Sequence, residues 1–307
     1  MSNMKDALGR TIDYMRISIT DRCNLRCKYC MPYGVECVPR WDILSLEEIQ
    51  AVGICAAGLG IRHIKVTGGE PLVRRDCCQL VKQLKSTPGI EKVTITTNGV
   101  LLERYLADLA EAGIDGIHLS LDTLDRDLYQ RITGTDALGT VMEAVRRACA
   151  MPVSVKINAV SIDFSQMDKE QREAGQDGWR QMVELAREYP VDVRFIERMP
   201  LGTTQTGQTT SADIALNRLR ARWPQLKPIS EPRGNGPARY FRAPDMQGCL
   251  GLIDAVSHGF CDRCNRLRLT STGLLKPCLC YEQGVELRPL LRGGADDDAL
   301  RNAMREA

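Results

Sequence analysis

The sequence has few of the features that mark a membrane protein or a secreted protein. No apolar run approaches the length of a membrane-spanning helix, and the opening Met1-Ser-Asn-Met-Lys-Asp is not typical of a secretory signal. The formal net charge is only +2, so the chain lacks a general field for binding polyanions. We therefore expect a cytoplasmic protein that binds neither membranes nor nucleic acid, in which any anion site is local.

A disulfide framework is not expected either, although the chain contains 13 cysteines. Their number is odd and no secretory signal accompanies them, so metal or redox roles are favoured. The 307 residues are 43% hydrophobic and 26% charged. This length and composition are typical of a soluble globular protein with one large domain or two ordinary ones.

The first two-thirds of the chain alternates β-rich runs with amphipathic helical patterns. Predicted strands cover residues 14–20, 63–67, 92–96, 116–121, 153–160 and 191–196. Predicted helices cover residues 46–57, 77–86, 102–112, 141–150 and 179–188. Six such β-then-α units predict an α/β fold, a parallel sheet closed or partly closed as a TIM-like barrel with helices outside.

This alternation ends after about Met199, and a smaller α+β extension follows. It is predicted to contain a helix at 212–222, strands at 238–242 and 250–254, and a hairpin. The hairpin pairs 267–270 with 274–277 and turns at Thr272-Gly273. We therefore predict a barrel domain over residues 1–200 and an extension over 201–307.

Three cysteines follow the first predicted strand, where reactive groups gather in such barrels. Cys23, Cys27 and Cys30 have three residues between the first pair and two between the second. Three thiolates at this spacing can hold three irons of a four-iron cluster and leave the fourth open for chemistry. The alternative is three buried cysteines in a loop, which the polar surroundings disfavour.

This cysteine spacing after the first strand of an α/β barrel resembles the radical S-adenosylmethionine (SAM) superfamily. Thr67-Gly-Gly-Glu-Pro71, at the end of the second strand, agrees with it, because glycines let the backbone approach a ligand closely. The resemblance implies that SAM binds the open iron and yields a 5′-deoxyadenosyl radical. Positions that match the SAM pocket of the family are Tyr29, Gly69, Ser120, Asn158 and Met199. For each of these alone, a structural role is an equal alternative.

A second set of three cysteines lies in the extension: Cys261, Cys264 and Cys278. A structural zinc site would need a fourth ligand, which Cys280 or His258 could supply. Read alone, this stretch fits zinc and an iron–sulfur cluster about equally well. Beside a radical SAM motif, a second four-iron cluster with an open iron is favoured.

The sequence segments around these cysteines resemble those of the MoaA family of GTP 3′,8-cyclases. They are Gly236-Pro-Ala-Arg-Tyr-Phe, Phe260-Cys-Asp-Arg-Cys-Asn-Arg-Leu-Arg-Leu and Gly273-Leu-Leu-Lys-Pro-Cys. The resemblance spans nearly the whole chain. It implies two 4Fe-4S clusters with GTP between them, and a radical that takes the ribose 3′ hydrogen before the sugar carbon attacks C8 of guanine. This is the first step of molybdenum-cofactor biosynthesis, and a downstream enzyme makes cyclic pyranopterin monophosphate from the product. A homodimer is left open as the assembly state.

A triphosphate needs cations inside a protein that is nearly neutral overall. Arg266 and Arg268 alternate along a strand-like segment and so share one face. Cations on barrel strands point into the barrel or into the helix layer, where burial without a counter-anion is costly. The positions expected to bind GTP are Arg16, Lys65, Thr96, Lys156, Arg266 and Arg268.

The sequence also departs from the family. Family members typically end in two glycines that reach the active site, whereas this sequence ends at Ala307 and its Gly293-Gly294 pair is internal. We expect the three histidines to be structural rather than ligands. The cysteines without a family role are Cys37, Cys55, Cys77, Cys78, Cys149, Cys249 and Cys280.

Two other functions compete with this interpretation. A different radical SAM enzyme with an auxiliary cluster, such as a peptide-maturing one, would share the first motif but not the paired arginines after Cys264. A non-enzymatic iron–sulfur electron carrier or a zinc-stapled binding module would not need Gly68-Gly69 at a strand end or so large a barrel.

Overall fold

The computed structural model describes residues 4–30, 38–161, 169–199 and 211–307. These residues form one sheet of twelve strands. The strands are β1 (Tyr14–Ser18), β2 (His63–Thr67), β3 (Lys92–Thr97), β4 (Gly116–Ser120), β5 (Ser154–Ser161), β6 (Val191–Glu197), β7 (Lys227–Pro228), β8 (Arg239–Arg242), β9 (Leu250–Ile253), β10 (Arg266–Leu269), β11 (Leu274–Lys276) and β12 (Val285–Glu286). Their order across the sheet is β12-β11-β10-β1-β2-β3-β4-β5-β6-β9-β8-β7.

Strands β1 to β6 pair in parallel and alternate with helices, as the sequence predicts. The helices are α1 (Leu46–Gly58), α2 (Cys77–Lys85), α3 (Leu102–Glu111), α4 (Arg126–Thr133), α5 (Leu138–Cys149), α6 (Lys169–Glu188), α7 (Ala212–Arg222), α8 (Arg288–Arg292) and α9 (Asp297–Glu306). The predicted α/β fold with a partial (βα)6 barrel is therefore confirmed. Helices α4, α8 and α9 were not predicted.

The C-terminal extension joins both ends of this parallel sheet. Strand β9 pairs in parallel with β6, and β10 pairs in parallel with β1. Antiparallel neighbours then continue the sheet on each side. The predicted hairpin is present as β10 and β11, and Gly273 in its turn has a φ of +98° that favours glycine. The division into 1–200 and 201–307 stays a prediction.

Each barrel strand divides its side chains between two environments. On β1, Met15 and Ile17 are fully buried in the hydrophobic core, while Tyr14 and Arg16 line a cavity on the other face. Because side chains alternate along a strand, one apolar face and one polar face follow from this order of residues. Among the helices of the described residues, none combines the length and apolarity needed to cross a bilayer.

Candidate active site

A cavity of about 640 Å³ lies on the inner face of the parallel strands. It is lined by polar side chains from β1 to β6 and β10 and by residues 232–237 of the loop before β8. Eight of the residues predicted from the sequence meet there: Arg16, Lys65, Thr96, Lys156, Asn158, Met199, Arg266 and Arg268. The strands therefore bring together residues that are up to about 250 positions apart in the chain.

Like charges face one another across neighbouring strands of this cavity. Arg16 on β1 lies in register with Lys65 on β2 on one side and with Arg268 on β10 on the other. Like charges directly opposite one another destabilise a sheet. The arrangement therefore disfavours the empty cavity and favours an anion that lies between the cations.

Several cations of this cavity have lowered pKa values or side-chain nitrogens without a hydrogen-bond partner among the described residues. Burial, followed by the charge of Arg16, lowers the pKa of both Arg266 and Arg268 to about 10. Burial, and then Arg16 and Arg194, hold the pKa of Lys65 well below its ordinary value. Buried polar atoms with no hydrogen-bond partner among the described residues include Nε of Arg16, Arg194, Arg266 and Arg268, and Oδ1 of Asn158.

Asp192 on β6 supplies negative charge at one side of the cavity. Its carboxylate lies 3.0 Å from Nζ of Lys156 and 2.8 Å from Nη2 of Arg233. Lys156 also donates to the hydroxyl of Tyr240 at 3.1 Å. One buried carboxylate thus holds Lys156 in place and ties the loop before β8 to the barrel.

The sequence analysis missed Arg194, Asp192 and Arg233 as site residues and assigned His118 a structural role. All four line the cavity. Arg194 and His118 are both buried, and Nη2 of Arg194 lies 3.0 Å from Nδ1 of His118. Alternation along β6 would have indicated that Asp192 and Arg194 share a face, but only the strand pairing shows that this face is the inner one.

The first cysteine set lies in the loop after β1, against helix α4. The amides of Arg26 and Lys28 donate to the carbonyls of Thr133 and Ile132, at 2.9 and 3.0 Å. Burial, then Asp122 and the neighbouring thiols of Cys30 and Cys23, raise the pKa of Cys27 to about 12. A bound metal would hold such thiols as thiolates despite their burial.

Hydrogen-bond donors already point at one sulfur of this set. Sγ of Cys23 lies 3.4 Å from the amide of Leu25 and 3.8 Å from Nδ2 of Asn98. Hydrogen bonds to sulfur tune iron–sulfur clusters, so the donor set and its surroundings fit a 4Fe-4S cluster.

The two glycines at the end of β2 pack against this loop. The amide of Gly69 donates to the carbonyl of Thr20 at 2.7 Å, and the amide of Glu70 donates to that of Arg22 at 2.8 Å. A Cβ on Gly69 would lie 2.4 Å from the Arg22 carbonyl oxygen. Only glycine fits such an approach, so these residues fix the start of the cysteine loop.

The carboxylate of Glu70 extends this link to the next strand. It is buried and accepts from the hydroxyl of Thr97 and the amide of Asn98, both at 2.7 Å. Asn98 in turn donates to Cys23, so β2, β3 and the cysteine loop are joined by one set of hydrogen bonds.

The residues predicted for SAM lie at three places. Tyr29 and Ser120 line a small depression beside Cys27, where the Tyr29 hydroxyl donates to Oδ2 of Asp122 at 2.7 Å. Asn158 and Met199 line the large cavity, and Gly69 lies in the strand-end turn. Ser120, the last residue of β4, is in register with Asn158 on β5, so the depression and the cavity are adjacent at this end of β4.

The second cysteine set surrounds β10 and β11. Cys261 is exposed, and Arg10 from the N-terminal segment donates to its carbonyl. Cys264 and Cys278 both lie close enough to Arg268 to affect its pKa. Phe260 and Leu279, neighbours of Cys261 and Cys278 in the chain, line the large cavity. This set therefore lies beside the cationic cavity.

The geometry differs for the two candidates for a fourth zinc ligand. His258, one candidate for a fourth ligand, instead contacts Oδ2 of Asp213 at 2.9 Å. Cys280 lies beside Cys278, and its amide is 3.4 Å from the Cys278 sulfur. Within the part of the chain that the structure describes, no three His, Cys, Asp or Glu side chains gather around a single-ion site. In a four-iron cluster the three thiolates bind three different irons, so they need not converge on one point.

The other cysteines are scattered through the fold. Cys55, Cys77 and Cys249 are buried, whereas Cys78 and Cys149 are half-buried and Cys280 is exposed. Cys37 lies outside the described residues.

Two family models match this chain. Residues 17–168 match the model of the Radical SAM superfamily, and residues 191–307 match the Molybdenum Cofactor Synthesis C model. Among solved structures, the chain resembles Streptococcus suis SuiB bound to S-adenosylmethionine, with a TM-score of 0.64 and 19% identity over 96% of this chain and 68% of that one. At this identity the likeness supports the radical SAM fold alone.

Relatives in sequence are much closer. The GTP 3′,8-cyclase of Moorella thermoacetica is 42% identical over 97% of this chain and 90% of its own length. That of Pelotomaculum thermopropionicum is 41% identical over 99% of this chain and 92% of its own length. The chain therefore belongs to the GTP 3′,8-cyclase family of radical SAM enzymes.

Proposed function

We propose that this chain converts GTP to (8S)-3′,8-cyclo-7,8-dihydroguanosine 5′-triphosphate by radical SAM chemistry. The observation that carries the proposal is the cavity in which Arg16, Lys65 and Arg268 lie side by side, with no carboxylate paired to any of the three among the described residues. A polyanion relieves this repulsion. A nucleoside triphosphate fits both the charge and the size of a site of about 640 Å³.

The two cysteine sets would hold the two 4Fe-4S clusters, Cys23, Cys27 and Cys30 the first, and Cys261, Cys264 and Cys278 the second. When bound, the first cluster and SAM supply the 5′-deoxyadenosyl radical that takes the ribose 3′ hydrogen. The chain's own contribution is to hold the first cysteine loop at the end of β1 and the second set at the opposite end of the sheet. Cys261 and Cys264 precede β10, which runs parallel to β1, and Cys278 follows the antiparallel β11. Residues proposed to contact SAM are Tyr29, Gly69, Ser120, Asn158 and Met199.

The cations are proposed to hold GTP in a fixed position. Guanidinium groups offer planar forks that match phosphate oxygens, whereas Lys65 and Lys156 offer point charges. Thr96 is in register with His118 and places a hydroxyl on the same face. The residues proposed to bind GTP are Arg16, Lys65, Thr96, Lys156, Arg266 and Arg268. Fixing both ends of the substrate in a buried site favours attack within one molecule.

The competing functions fit this cavity less well. A peptide-maturing enzyme has no use for so many buried cations in one cavity, because a peptide brings little negative charge. An electron carrier needs neither a large cavity nor the close packing of Gly69 on the cysteine loop. By family resemblance the product passes to the synthase of cyclic pyranopterin monophosphate, the enzyme functions in the cytoplasm, and a homodimer stays open.

The proposal is tested on protein reconstituted anaerobically with iron and sulfide. SAM, dithionite and GTP are added, and 5′-deoxyadenosine and the cyclised nucleotide are measured together. We expect both to appear at equal rates only when GTP is present, with about eight irons per chain. ATP serves as the matched control, since it has the same triphosphate but a different base.

Two outcomes would contradict the proposal. Deoxyadenosine that forms at the same rate without GTP would favour a different radical SAM enzyme. About four irons per chain with stoichiometric zinc would remove the second cluster.

A further inference from the structure

His118 lines the cationic cavity and has no role in the function proposed above. It is on β4, is 7% exposed, and is flanked in register by Thr96 on β3 and Lys156 on β5. An imidazole buried among cations is costly to protonate and gives no attraction to an anion while it is neutral. Its position therefore needs a different explanation.

The imidazole contacts two cations through one atom. Nδ1 lies 3.0 Å from Nη2 of Arg194, and Nζ of Lys65 makes a close contact with the same nitrogen. Arg194 is always charged and has no acceptor atom, so it must donate, and Lys65 in its ammonium form donates likewise. Nδ1 can accept only when the ring is neutral and carries its proton on Nε2.

The surroundings keep the ring in that neutral form. The charged groups that act on it come from four strands: Lys65 on β2, Arg194 on β6, Lys156 on β5 and Arg16 on β1. Burial first, and then these charges, lower the pKa of His118 well below its ordinary value. The neutral ring and its shared acceptor atom therefore follow from the same set of neighbours.

We propose that His118 is a positioning residue for substrate: its neutral Nδ1 holds Lys65 and Arg194 side by side, so that a triphosphate meets two cations already in place. Lys65 depends on the contact with His118 for its orientation more than an arginine would, because an ammonium group on a flexible stem has three donors with no fixed plane. One donor contacts His118, which orients the other two. The inference rests on the proposed function, since it takes the phosphates of GTP as the ligand of Lys65 and Arg194.

Loss of the Nδ1 acceptor of His118 has two effects on Lys65 and Arg194. The two cations lose the atom that holds them together, and their repulsion moves them apart. The buried ammonium of Lys65 also loses a hydrogen bond that stabilises its charged form, so it gives up its proton more readily. Both effects weaken the binding of an anion and leave the sites of SAM and iron untouched.

The test compares His118→Leu with His118→Asn in reconstituted protein that holds both clusters. Asparagine places an acceptor oxygen near the position of Nδ1, whereas leucine places none. Binding of GTP and of inorganic triphosphate is measured without SAM, and KM and kcat are then measured with it. We expect leucine to weaken both ligands about tenfold or more, the loss typical of a hydrogen bond to a charged group, and to raise KM more than it lowers kcat. Asparagine should restore binding to within about threefold.

A double variant tests whether His118 acts through Lys65. In a Lys65→Met background, His118→Leu should cost much less affinity for triphosphate than it costs in the wild type. Iron content, SAM binding and the melting temperature of each variant identify a general loss of structure.

The outcomes separate this inference from the proposed function. Wild-type affinity for triphosphate in His118→Leu, no rescue by asparagine, or additive losses in the double variant would each overturn the positioning role. A wild-type protein that binds triphosphate through His118 but never cyclises GTP would overturn the proposed function and leave the positioning role in place.

Discussion

Arg16 on β1 lies directly opposite Arg268 on β10, and both side chains face the same cavity. Nε of each is buried with no hydrogen-bond partner among the described residues. Adjacent strands are about 4.8 Å apart, so two guanidinium groups in register repel one another at short range. Such repulsion lowers stability, as is common where a binding site is preorganised for a charged ligand.

Replacing one of these arginines should therefore separate stability from binding. Arg268→Met keeps most of the apolar stem and removes the charge. We expect the melting temperature without GTP to rise, with a gain of about 1 kcal/mol in the free energy of unfolding, and GTP affinity to fall about tenfold or more. Thermal unfolding and equilibrium binding on reconstituted protein measure the two effects. Arg266→Ala and Arg268→Ala should likewise weaken GTP use without loss of iron.

Arg305→Met is the matched control for this prediction. Arg305 is exposed on α9 and donates to Oδ1 of Asn302 at 2.7 Å. Its replacement should change the free energy of unfolding by less than about 0.5 kcal/mol and leave GTP affinity unchanged. Loss of iron in Arg268→Met, or GTP affinity equal to that of the control, would show that Arg268 does not bind the substrate.

The strands and helices with strong local patterns could be predicted from the sequence. Strand β2 and helix α7 have the predicted bounds, because three of the five residues of β2 are β-branched and Ser211 caps α7. Helix α4 was missed since its eight residues are mostly polar. Helix α5 begins three residues before the predicted start at 141, because Gly139 interrupts its pattern.

The composition of the site could be predicted only in part. Arg266 and Arg268 were found because they alternate beside a cysteine motif. His118, Asp192 and Arg194 were not, since their importance depends on which strands are neighbours and in what register. Strand pairing and register are set by packing across the whole barrel, and a local sequence pattern does not predict them.

Gly69 provides a test of how the first cysteine loop is held. A Cβ at this position would lie 2.4 Å from the Arg22 carbonyl oxygen, and neither backbone can yield without moving the loop. We expect Gly69→Ala to lose the first cluster and keep the second, so that iron falls from about eight to about four per chain. Iron analysis and electron paramagnetic resonance of the reduced protein measure this loss.

Gly139→Ala is the control for that variant. Gly139 lies in α5, and nothing stands within 4 Å of the Cβ it would gain. Alanine is the better helix former by about 1 kcal/mol, so the variant should be at least as stable as the wild type and hold full iron. Full iron in Gly69→Ala as well would refute the packing argument.

Asp192 should contribute more to stability than an exposed acid does. It is buried and pairs with Lys156 and Arg233. Asp192→Asn leaves Lys156 buried beside a neutral amide, and we expect a loss of about 3 kcal/mol in the free energy of unfolding. Asp245→Asn, which breaks an exposed pair with Arg187 at 2.8 Å, should cost less than about 1 kcal/mol. Equal losses of unfolding free energy in denaturant titrations of the two variants would mean that the buried pair stabilises the fold no more than the exposed pair does.

His118 predicts how stability depends on pH. Its pKa in the folded protein lies well below the ordinary 6.5, so the unfolded chain binds a proton that the folded chain refuses once the pH falls below about 6.5. Stability from this group is therefore complete above pH 6.5 and is lost on acidification, by up to about 1.4 kcal/mol per pH unit. Denaturant titrations between pH 7.5 and 5.5 should show a smaller loss in His118→Asn than in the wild type. Saturating inorganic triphosphate should reduce this difference between the two proteins, because its charge offsets the cations that disfavour protonation of His118. The same dependence of unfolding free energy on pH in both proteins would exclude a neutral His118.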